Sequence, residues 1–550
     1  MRTLKILLIL VCTCWQITAQ KNIPHLAKKG NLTQLIVDDE PFLMIAGEVH
    51  NSSASTLEYM KPLFPKLKKM NLNSVFVTLA WEQFEPKEGV YDYTLVDAII
   101  ENAKKNDLKV CLLWFASWKN GESSYTPMWV KKDTKRFFRV QTKEGKRIET
   151  MSPFCEATKI ADAKAFTALM KHVKEVDKDQ TVILMQPQNE VGMFQDIDYN
   201  PIALDLFEQN VPKELTKYLK KNKKNLKEYV TNAWSKSKFK TKGTWKEMFG
   251  DTPEAKAFFT TWQYATYINF IAKSGRQEYD LPMMVNSWIV QKPEDLPGVY
   301  PNGGPVSRVI DIWKAAAPDI DIQSPDIYLS NFKEIVAMYH RKDNPLLVPE
   351  SSAEVGRAYY AFGEHDAICF SPFGIEDAAD NFLFTKSYKV LHEAQHLIKK
   401  YQGTDKMRAV LKEGKEQYKD LYMGNYKLKV MYEKPNEPSF GIIMQTDDNE
   451  FMVIGMNLTI FIESEIKKSV GYIGQVLEGR FENQKWVTTR MMNGDETYHN
   501  SRLRVFGRTF ETTNDIIKAT KKEGEPDAYS PATKQVITTP GIYKVLTYMR

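Results

Sequence analysis

Cysteine is scarce in this chain of 550 residues, which contains only five. Cys12 and Cys14 lie near the N-terminus, and Cys111, Cys155 and Cys369 form an odd, widely spaced set. Such a set excludes a disulfide framework, and the lack of any CxxC pair excludes the common zinc-finger arrangements. We expect Cys111 and Cys369, which lie in apolar runs, to be core thiols.

A strong charge of one sign is also missing. The 75 lysines and arginines are nearly balanced by 69 acidic residues, for a formal net charge of +6. This balance does not call for a nucleic-acid partner, and we predict none. The Lys-rich stretch 213–246 interleaves acidic and apolar residues, so we interpret it as part of a solvated helical insertion at about 205–250.

Long apolar runs are absent after the N-terminal segment, because no stretch reaches the ~18 apolar residues of a membrane span. We therefore expect no transmembrane segment. Residues 1–19 have the pattern of a cleaved signal peptide, with Arg2 and Lys5 before an apolar run and small or aliphatic residues up to Ala19. This pattern predicts a periplasmic or secreted protein. Lipid attachment through one of the two N-terminal cysteines is less favoured, because unsuitable residues precede both.

Eight apolar, strand-like runs alternate with helical segments between about residues 40 and 400. The runs are 42–48, 74–79, 109–115, 181–186, 282–286, 320–326, 345–350 and 367–371. Continuous apolar strands indicate burial on both faces, as in parallel sheets covered by helices. Eight such units predict a (β/α)₈ barrel over residues 20–405. An open doubly wound sheet is the alternative, but its glycine-rich phosphate turn is lacking after the first strand.

The pattern changes at about residue 420, where apolar and polar residues begin to alternate. Turn signals such as Asp447-Asp448-Asn449 and Asn493-Gly494-Asp495 separate these runs. This combination predicts a C-terminal antiparallel β-sandwich over residues 406–550. We expect this domain to brace the barrel rather than to bind carbohydrate.

Carboxylates, amides and indoles follow the predicted strands, at the barrel end where active sites lie. Glycosidic cleavage needs two carboxyl groups of opposite role, one to donate a proton and one to attack the anomeric carbon. The fourth and seventh strands lie across a barrel from each other, so Glu190 and Glu350 can converge over its centre. The amides next to Glu190 would be costly to bury unless a ligand used them.

These residues resemble the retaining glycosidases of clan A, and within them the β-galactosidase-like families 35 and 42. Asn189-Glu190 and Glu350 match the clan's positions, Gly47-Glu48-Val49-His50 resembles the first-strand motif of family 35, and 81–93 resembles its second-strand signature. The resemblance implies that Glu190 is the acid/base, that Glu350 is the nucleophile and that Asn189 binds the sugar 2-hydroxyl. It further implies an exo-acting β-galactosidase with a carbohydrate substrate. We expect no metal and no cofactor. Whether the protein forms a homo-oligomer stays open.

Further substrate-binding residues are expected at the same rim. They are Glu48, Trp81, Trp114, Trp118, Asn286, Trp288 and Tyr328. For the indoles, packing at the rim is an equally strong interpretation. The chain departs from family 35 at two places. The family's second strand carries a tyrosine that contacts galactose, and this chain has Thr78 at the corresponding position. The family's Ala-Glu-Trp after the third strand is replaced here by Leu113-Trp114-Phe115-Ala116. These changes leave the hydrolytic chemistry intact, but they weaken the inference that the sugar is galactose.

A rival motif lies in the last predicted barrel helix. His392-Glu393-Ala394-Gln395-His396 matches the HExxH pattern of zinc proteases, with Glu413 or Glu416 as a distant third ligand. Its place on an outer helix favours a chance surface match. A second alternative, an inactive glycan-binding barrel, is disfavoured because both Glu190 and Glu350 are present.

Overall fold

A computed structural model describes residues 22–433, 437–492, 494–509 and 537–550. The predicted signal peptide at 1–19 and part of the predicted sandwich lie outside these ranges. None of the helices in the described ranges is long and apolar enough to cross a membrane.

The first part of the chain alternates strands and helices. Its strands are β1 (His25–Lys29), β2 (Leu32–Val37), β3 (Glu40–Phe42), β4 (Met44–Ile45), β5 (Ser74–Ala80), β6 (Lys109–Lys119), β7 (Arg139–Gln141), β8 (Arg147–Met151), β9 (Val182–Asn189), β10 (Met284–Trp288), β11 (Ile322–Ile327), β12 (Leu347–Val348), β13 (Glu350–Ser351) and β14 (Cys369–Phe370). Each of the eight predicted apolar runs overlaps at least one of these strands, and the seventh run overlaps both β12 and β13.

Helices connect the strands and cover them. They are α1 (Leu57–Met60), α2 (Leu63–Lys69), α3 (Trp81–Phe84), α4 (Thr94–Lys105), α5 (Met128–Lys132), α6 (Glu156–Val176), α7 (Pro201–Phe207), α8 (Lys213–Asn222), α9 (Glu228–Ser235), α10 (Trp245–Phe249), α11 (Pro253–Glu278), α12 (Ile310–Ala316), α13 (Phe332–Tyr339), α14 (Val355–Glu364) and α15 (Phe382–Tyr401). The predicted Lys-rich insertion corresponds to the short helices α7 to α10.

Parallel pairing links the strands of the eight predicted runs in chain order, whereas β1-β2-β3 and β7-β8 pair antiparallel. Three parallel sheets have the orders β5-β6-β9, β10-β11-β13 and β12-β14-β4. Single parallel bridges join Glu48 to Phe76 and Met185 to Met283, and so connect the first strand to the second and the fourth to the fifth. Every residue of β5 and of β9 is buried, as the continuous apolar runs predict. The pairings bring the carboxyl ends of all these strands to one side of the region.

The second part of the chain is rich in strands. They are β15 (Met407–Leu411), β16 (Tyr418–Met423), β17 (Tyr426–Tyr432), β18 (Phe440–Asp447), β19 (Glu450–Met456), β20 (Leu458–Ser464), β21 (Gly471–Glu482), β22 (Lys485–Met492), β23 (Leu503–Val505), β24 (Gly507–Thr509), β25 (Ile537–Thr539) and β26 (Gly541–Met549). They form antiparallel sheets of the orders β15-β18-β19-β26-β21-β22 and β16-β17-β20-β23, with a short β24-β25 pair.

The two larger sheets share one apolar cluster. Leu428 and Val430 enter it from the smaller sheet, and Ile443, Val453 and Val545 from the larger. The larger sheet also packs against α14, and the contact is close at Gly363, where an added Cβ would lie 2.8 Å from Ala409. The strand-rich part is thus anchored on the helix that directly follows Glu350.

Candidate active site

Three carboxyl groups meet at the carboxyl ends of β9, β11 and β13. Glu190 directly follows β9, Asp326 lies in β11, and Glu350 begins β13. All three side chains are buried, and one oxygen of each lies within 4.8 Å of the others. Retaining glycosidases hold their two carboxyl groups about 5–5.5 Å apart, so Glu190 and Glu350 are close enough for that chemistry. The same oxygens are also the ligand type that Mg²⁺ and Ca²⁺ prefer.

The side chain of Asn286 ties this group together. Its Oδ1 accepts a hydrogen bond of 2.9 Å from the backbone N–H of Glu190. Its Nδ2 lies 2.8 Å from Asp326 Oδ2, 2.9 Å from Asn189 Oδ1 and 3.3 Å from Glu350 Oε1. Since one amide contacts all of them, the position of Glu190 relative to Glu350 is fixed from β10.

The backbone that carries Glu190 adopts an uncommon conformation. Gln188 has φ 70° and Glu190 has φ 41°, a region that non-glycine residues rarely occupy. Strain of this kind costs about 1–3 kcal/mol for each residue and is typical of functional sites. The Gln188 side chain fixes this turn. Its Nε2 donates to Asp162 Oδ2 at 2.7 Å, and its Oε1 accepts from the backbone N–H of Trp118 at 3.0 Å. Burial raises the pKa of Asp162 to about 6, although hydrogen bonds from its donors oppose this shift.

Burial and charge affect Glu190 strongly. Burial is the largest cause that raises the pKa of its carboxyl to about 7, and the negative charge of Glu350 raises it further, while Lys119 lowers it. Burial followed by the charge of Glu350 also raises the pKa of Asp326, and a hydrogen bond between Asp326 and Glu190 adds to this rise. Glu190 can therefore hold a proton near neutral pH.

Glu350 has hydrogen-bond donors on both oxygens. The Tyr328 hydroxyl donates to Oε2 at 2.9 Å, and Asn286 Nδ2 lies 3.3 Å from Oε1. Burial, followed by the charge of Glu350, raises the pKa of Tyr328, so its hydroxyl stays protonated and remains a donor. These contacts aim the Glu350 carboxylate at the space beside Glu190.

An open cavity of about 350 Å³ lies over the carboxyl groups. Its volume is at the lower end of the ~300–1,000 Å³ range of small-molecule sites. Polar, charged and aromatic side chains surround it, namely Asn51, Lys119, Asn120, Glu190, Trp288, Gln291, Asp326, Tyr328, Glu350 and Phe373, together with Ile289. A mixture of rings and hydrogen-bonding groups of this kind suits a sugar.

Three of the expected substrate-binding tryptophans are structural instead. Trp81, Trp114 and Trp118 are all fully buried and do not line the cavity. Their indole N–H groups donate to Glu85, to Asp162 and to the Met151 carbonyl, respectively. The expectation that they stack on sugar is therefore corrected, since a ring enclosed by protein offers no face to a ligand.

The other expected residues lie at or next to the cavity. Trp288 and Tyr328 line it, and Asn286 bonds the carboxyl groups below it. Asn189 is buried, and its Nδ2 donates to Asn120 Oδ1 at 3.2 Å. Glu48 is buried beside the group, and its pKa is raised by burial first and then by the charge of Glu350.

Two charged cavity residues, Lys119 and Asp326, were missing from the expected set. Both end or nearly end a parallel strand. Asp326 also ends a predicted apolar run, whereas Lys119 lies four residues past the predicted end of its run. What the sequence lacked was a signal to separate them from other polar residues at strand ends.

The histidines of the HExxH motif contact other residues and do not line the cavity over the carboxyl groups. The His396 ring packs edge-on against Phe481, with ring centroids 4.6 Å apart, and its Nδ1 bonds the Glu393 carbonyl. His392 faces a separate surface cavity with Lys68 and Asp107. Across the described ranges, the one cluster of three His, Cys, Asp or Glu side chains with metal-ligand spacing is that of Glu190, Asp326 and Glu350.

Comparison with known proteins gives a family for the main part of the chain. The profile of a glycoside hydrolase family 42, described as β-galactosidase, matches residues 54–344, and a domain of unknown function, DUF5597, matches residues 384–504. No curated protein matches the chain.

Similar solved structures include two β-galactosidases and a β-amylase catalytic domain. The Bacillus circulans sp. alkalophilus β-galactosidase is 16% identical with a TM-score of 0.44, over 65% of this chain and 57% of that one. The Halorubrum lacusprofundi β-galactosidase is 14% identical with a TM-score of 0.42, over 64% and 58%. The Paenibacillus polymyxa β-amylase domain is 11% identical with a TM-score of 0.44, over 64% and 97%. The chain thus spans less than two thirds of the two β-galactosidases. Because the family 42 profile covers more than half of the sequence, this chain belongs to glycoside hydrolase family 42.

Proposed function

We propose that this protein is a retaining exo-β-galactosidase that removes terminal β-linked galactose from oligo- or polysaccharides by double displacement. The observation that carries the proposal is the pairing of Glu190 and Glu350. The two buried carboxyl groups lie within 4.8 Å of each other, and Glu190 has a pKa of about 7. A protonated acid beside a second carboxyl group is what the first step of retaining hydrolysis needs.

In the first step, the Glu350 carboxylate attacks the anomeric carbon and forms a glycosyl ester. The bond between the anomeric carbon and the leaving oxygen breaks, and Glu190 gives its proton to that oxygen. Tyr328 and Asn286 hold the attacking carboxylate in position. When Glu350 becomes an ester its negative charge disappears, so the pKa of Glu190 falls and the residue is ready to act as a base.

In the second step, Glu190 removes a proton from water, and the water oxygen attacks the anomeric carbon. The ester bond breaks, Glu350 returns as a carboxylate, and Glu190 is protonated again. Two inversions give net retention of configuration.

We propose that the eight parallel strands close into a (β/α)₈ barrel within residues 20–405. The single bridges at Glu48–Phe76 and Met185–Met283 support closure, because they link the three parallel sheets end to end. For residues 406–550 we propose a β-sandwich that braces the barrel, which is supported by the shared apolar cluster and by the close contact at Gly363. The family description supports galactose as the sugar.

Secretion after removal of residues 1–19 remains our proposal from the sequence. N-terminal sequencing of protein recovered from the cell envelope or the medium tests it. A mature chain that starts near Gln20 is the expected result, and an intact Met1 on all recovered protein contradicts it.

Turnover of nitrophenyl β-galactoside by the wild type, Glu350→Gln and Glu190→Gln tests the function. We expect kcat to fall roughly 10⁴-fold or more in Glu350→Gln. Glu190→Gln should lose roughly 10²–10⁴-fold on poor leaving groups and less on a dinitrophenyl galactoside, which needs little protonation. Glu354→Gln, an exposed substitution of the same type, is the control. Normal turnover in both site variants, or an inverted product by NMR, overturns the assignment.

A further inference from the structure

Lys119 is the one cationic side chain among the described residues that line the cavity, and its ammonium group has no ion-pair partner there. It ends β6, lines the cavity and is only 8% exposed. Within the described residues its Nζ makes neither a hydrogen bond nor an ion pair, and it lies 4.9 Å from the centroid of the Phe115 ring. Three N–H donors are therefore available at the wall of the cavity.

The backbone holds this lysine firmly in place. Lys119 and Glu122 exchange two backbone hydrogen bonds, of 2.8 and 3.0 Å. The next two residues, Asn120 and Gly121, donate their N–H groups to the carbonyls of Asn189 and Glu190. Lys119 is therefore positioned by the same turn that carries Glu190, which is the preorganisation that a ligand contact requires.

The surrounding charges keep the ammonium protonated. Burial lowers the pKa of Lys119, but the carboxylates of Glu350, Glu48, Glu190 and Asp326 outweigh it and raise the pKa. A charged group buried without a hydrogen-bond partner is costly. Such a cost is expected where a ligand supplies the missing acceptors.

Unused acceptors lie on the same side of the site. Both carboxylate oxygens of Glu48 and the Oδ1 of Asn51 are buried and have no hydrogen-bond partner in the described part of the chain. Asn51 lines the cavity together with Lys119, and Glu48 is close enough for its charge to act on the Lys119 pKa. A hydroxyl group both donates and accepts, so a sugar hydroxyl between Lys119 and Asn51, which both line the cavity, would satisfy both side chains.

We propose that Lys119 is a substrate-contacting residue that binds hydroxyl groups of the sugar whose anomeric carbon lies between Glu190 and Glu350, with Asn51 as an acceptor beside it. This inference rests on the proposed glycosidase function and deepens it. It assigns the substrate class as a neutral terminal glycopyranoside with free ring hydroxyls on the Lys119 side. A sugar that is linked, methylated or acylated at those hydroxyls would be rejected, which is a physical reason for exo action.

Kinetics on nitrophenyl β-galactoside and its 2-, 3-, 4- and 6-deoxy analogues test the proposal. We expect Lys119→Met to lower kcat/KM on the parent substrate about 100-fold. This loss is two factors of ten, each equivalent to about 1.4 kcal/mol. On the analogue that lacks the contacted hydroxyl, the kcat/KM values of the variant and the wild type should agree within about threefold. The wild-type lysine has no hydroxyl to contact on this analogue, so its removal costs little. Lys119→Arg should retain part of the parent activity.

Lys131→Met is the matched control, because Lys131 is paired with Glu82 at 2.9 Å and does not line the cavity. This variant should change kcat/KM by the same small factor on the parent substrate and on every deoxy analogue. If Lys119→Met does not fold, Lys119→Gln and Lys119→Arg carry the same comparison. An equal loss on every analogue, or no loss on any, overturns the inference. If the wild type hydrolyses no glycoside, the proposed function itself fails, so the two failures are distinct.

Discussion

The Oδ1 of Asn286 accepts a hydrogen bond of 2.9 Å from the backbone N–H of Glu190. The same side chain reaches Glu350 through Nδ2, at 3.3 Å. One amide on β10 therefore sets the geometry of two carboxyl groups that belong to two other strands.

Asn286→Ala should lower activity through misplacement of those carboxyl groups. We expect kcat to fall roughly 100-fold with a smaller change in KM, because small displacements of reacting groups have effects of that size. Steady-state kinetics on an aryl galactoside measure the split. Asn232→Ala, an exposed substitution of the same type whose side chain bonds only Glu228, is the control. A change confined to KM would contradict the positioning role.

The pH profile of kcat/KM should show an alkaline limb caused by Glu190. The group must be protonated to act as an acid and its pKa is about 7, so activity should fall as pH rises through 7. In Glu190→Gln, measured on a dinitrophenyl galactoside, this limb should disappear because the titrating group is gone. Persistence of the same limb in the variant would assign it to another residue.

The eight strands could be predicted because their physical signal is strong. Strands buried on both faces are mostly apolar without alternation, and β5 and β9 are buried along their full length. The position of Glu190 and Glu350 at the carboxyl ends of strands could be predicted because Glu350 ends such a run and Glu190 follows one closely. The acid/base and nucleophile roles came from the resemblance to clan A.

The facing of side chains on β6 could not be predicted. The apolar pattern ended this strand at Phe115, but the strand continues to Lys119. Its register with β9 jumps between the pairs Trp114–Pro187 and Lys119–Asn189, which is an irregularity that alternation rules do not anticipate. As a result, Trp114 was expected at the site and Lys119 was not.

Glu48→Gln should stabilise the protein at high pH. Burial raises the pKa of Glu48 above the ordinary value of 4.5. The folded state therefore binds its proton more tightly than the unfolded state. This contribution is complete below pH 4.5 and is lost as pH rises through the folded pKa.

We expect Glu48→Gln to raise the melting temperature at pH 8, on the order of 1 °C for each kcal/mol gained in a chain of this length. At pH 4 the variant and the wild type should melt alike. Scanning calorimetry at both pH values makes the comparison. Glu88→Gln is the control with the opposite sign, since hydrogen bonds from Arg136 lower the pKa of Glu88. A gain for Glu48→Gln at pH 4 but not at pH 8 would contradict the argument.

Substitution of two tryptophans near the site should affect different properties, stability for one and substrate binding for the other. Trp118 is fully buried, with its ring 4.8 Å from that of Tyr264 and 4.6 Å from that of Tyr267, whereas Trp288 lines the cavity and meets Phe194 edge-on. Trp118→Ala should destabilise the fold by about 3–5 kcal/mol, the cost of removing a large core ring. Trp288→Ala should leave the melting temperature nearly unchanged and raise KM roughly tenfold, which corresponds to a lost contact of 1.4 kcal/mol. Thermal melts and Michaelis curves of both variants decide the matter. A Trp288 variant that melts early with an unchanged KM would make that ring structural, like the other three.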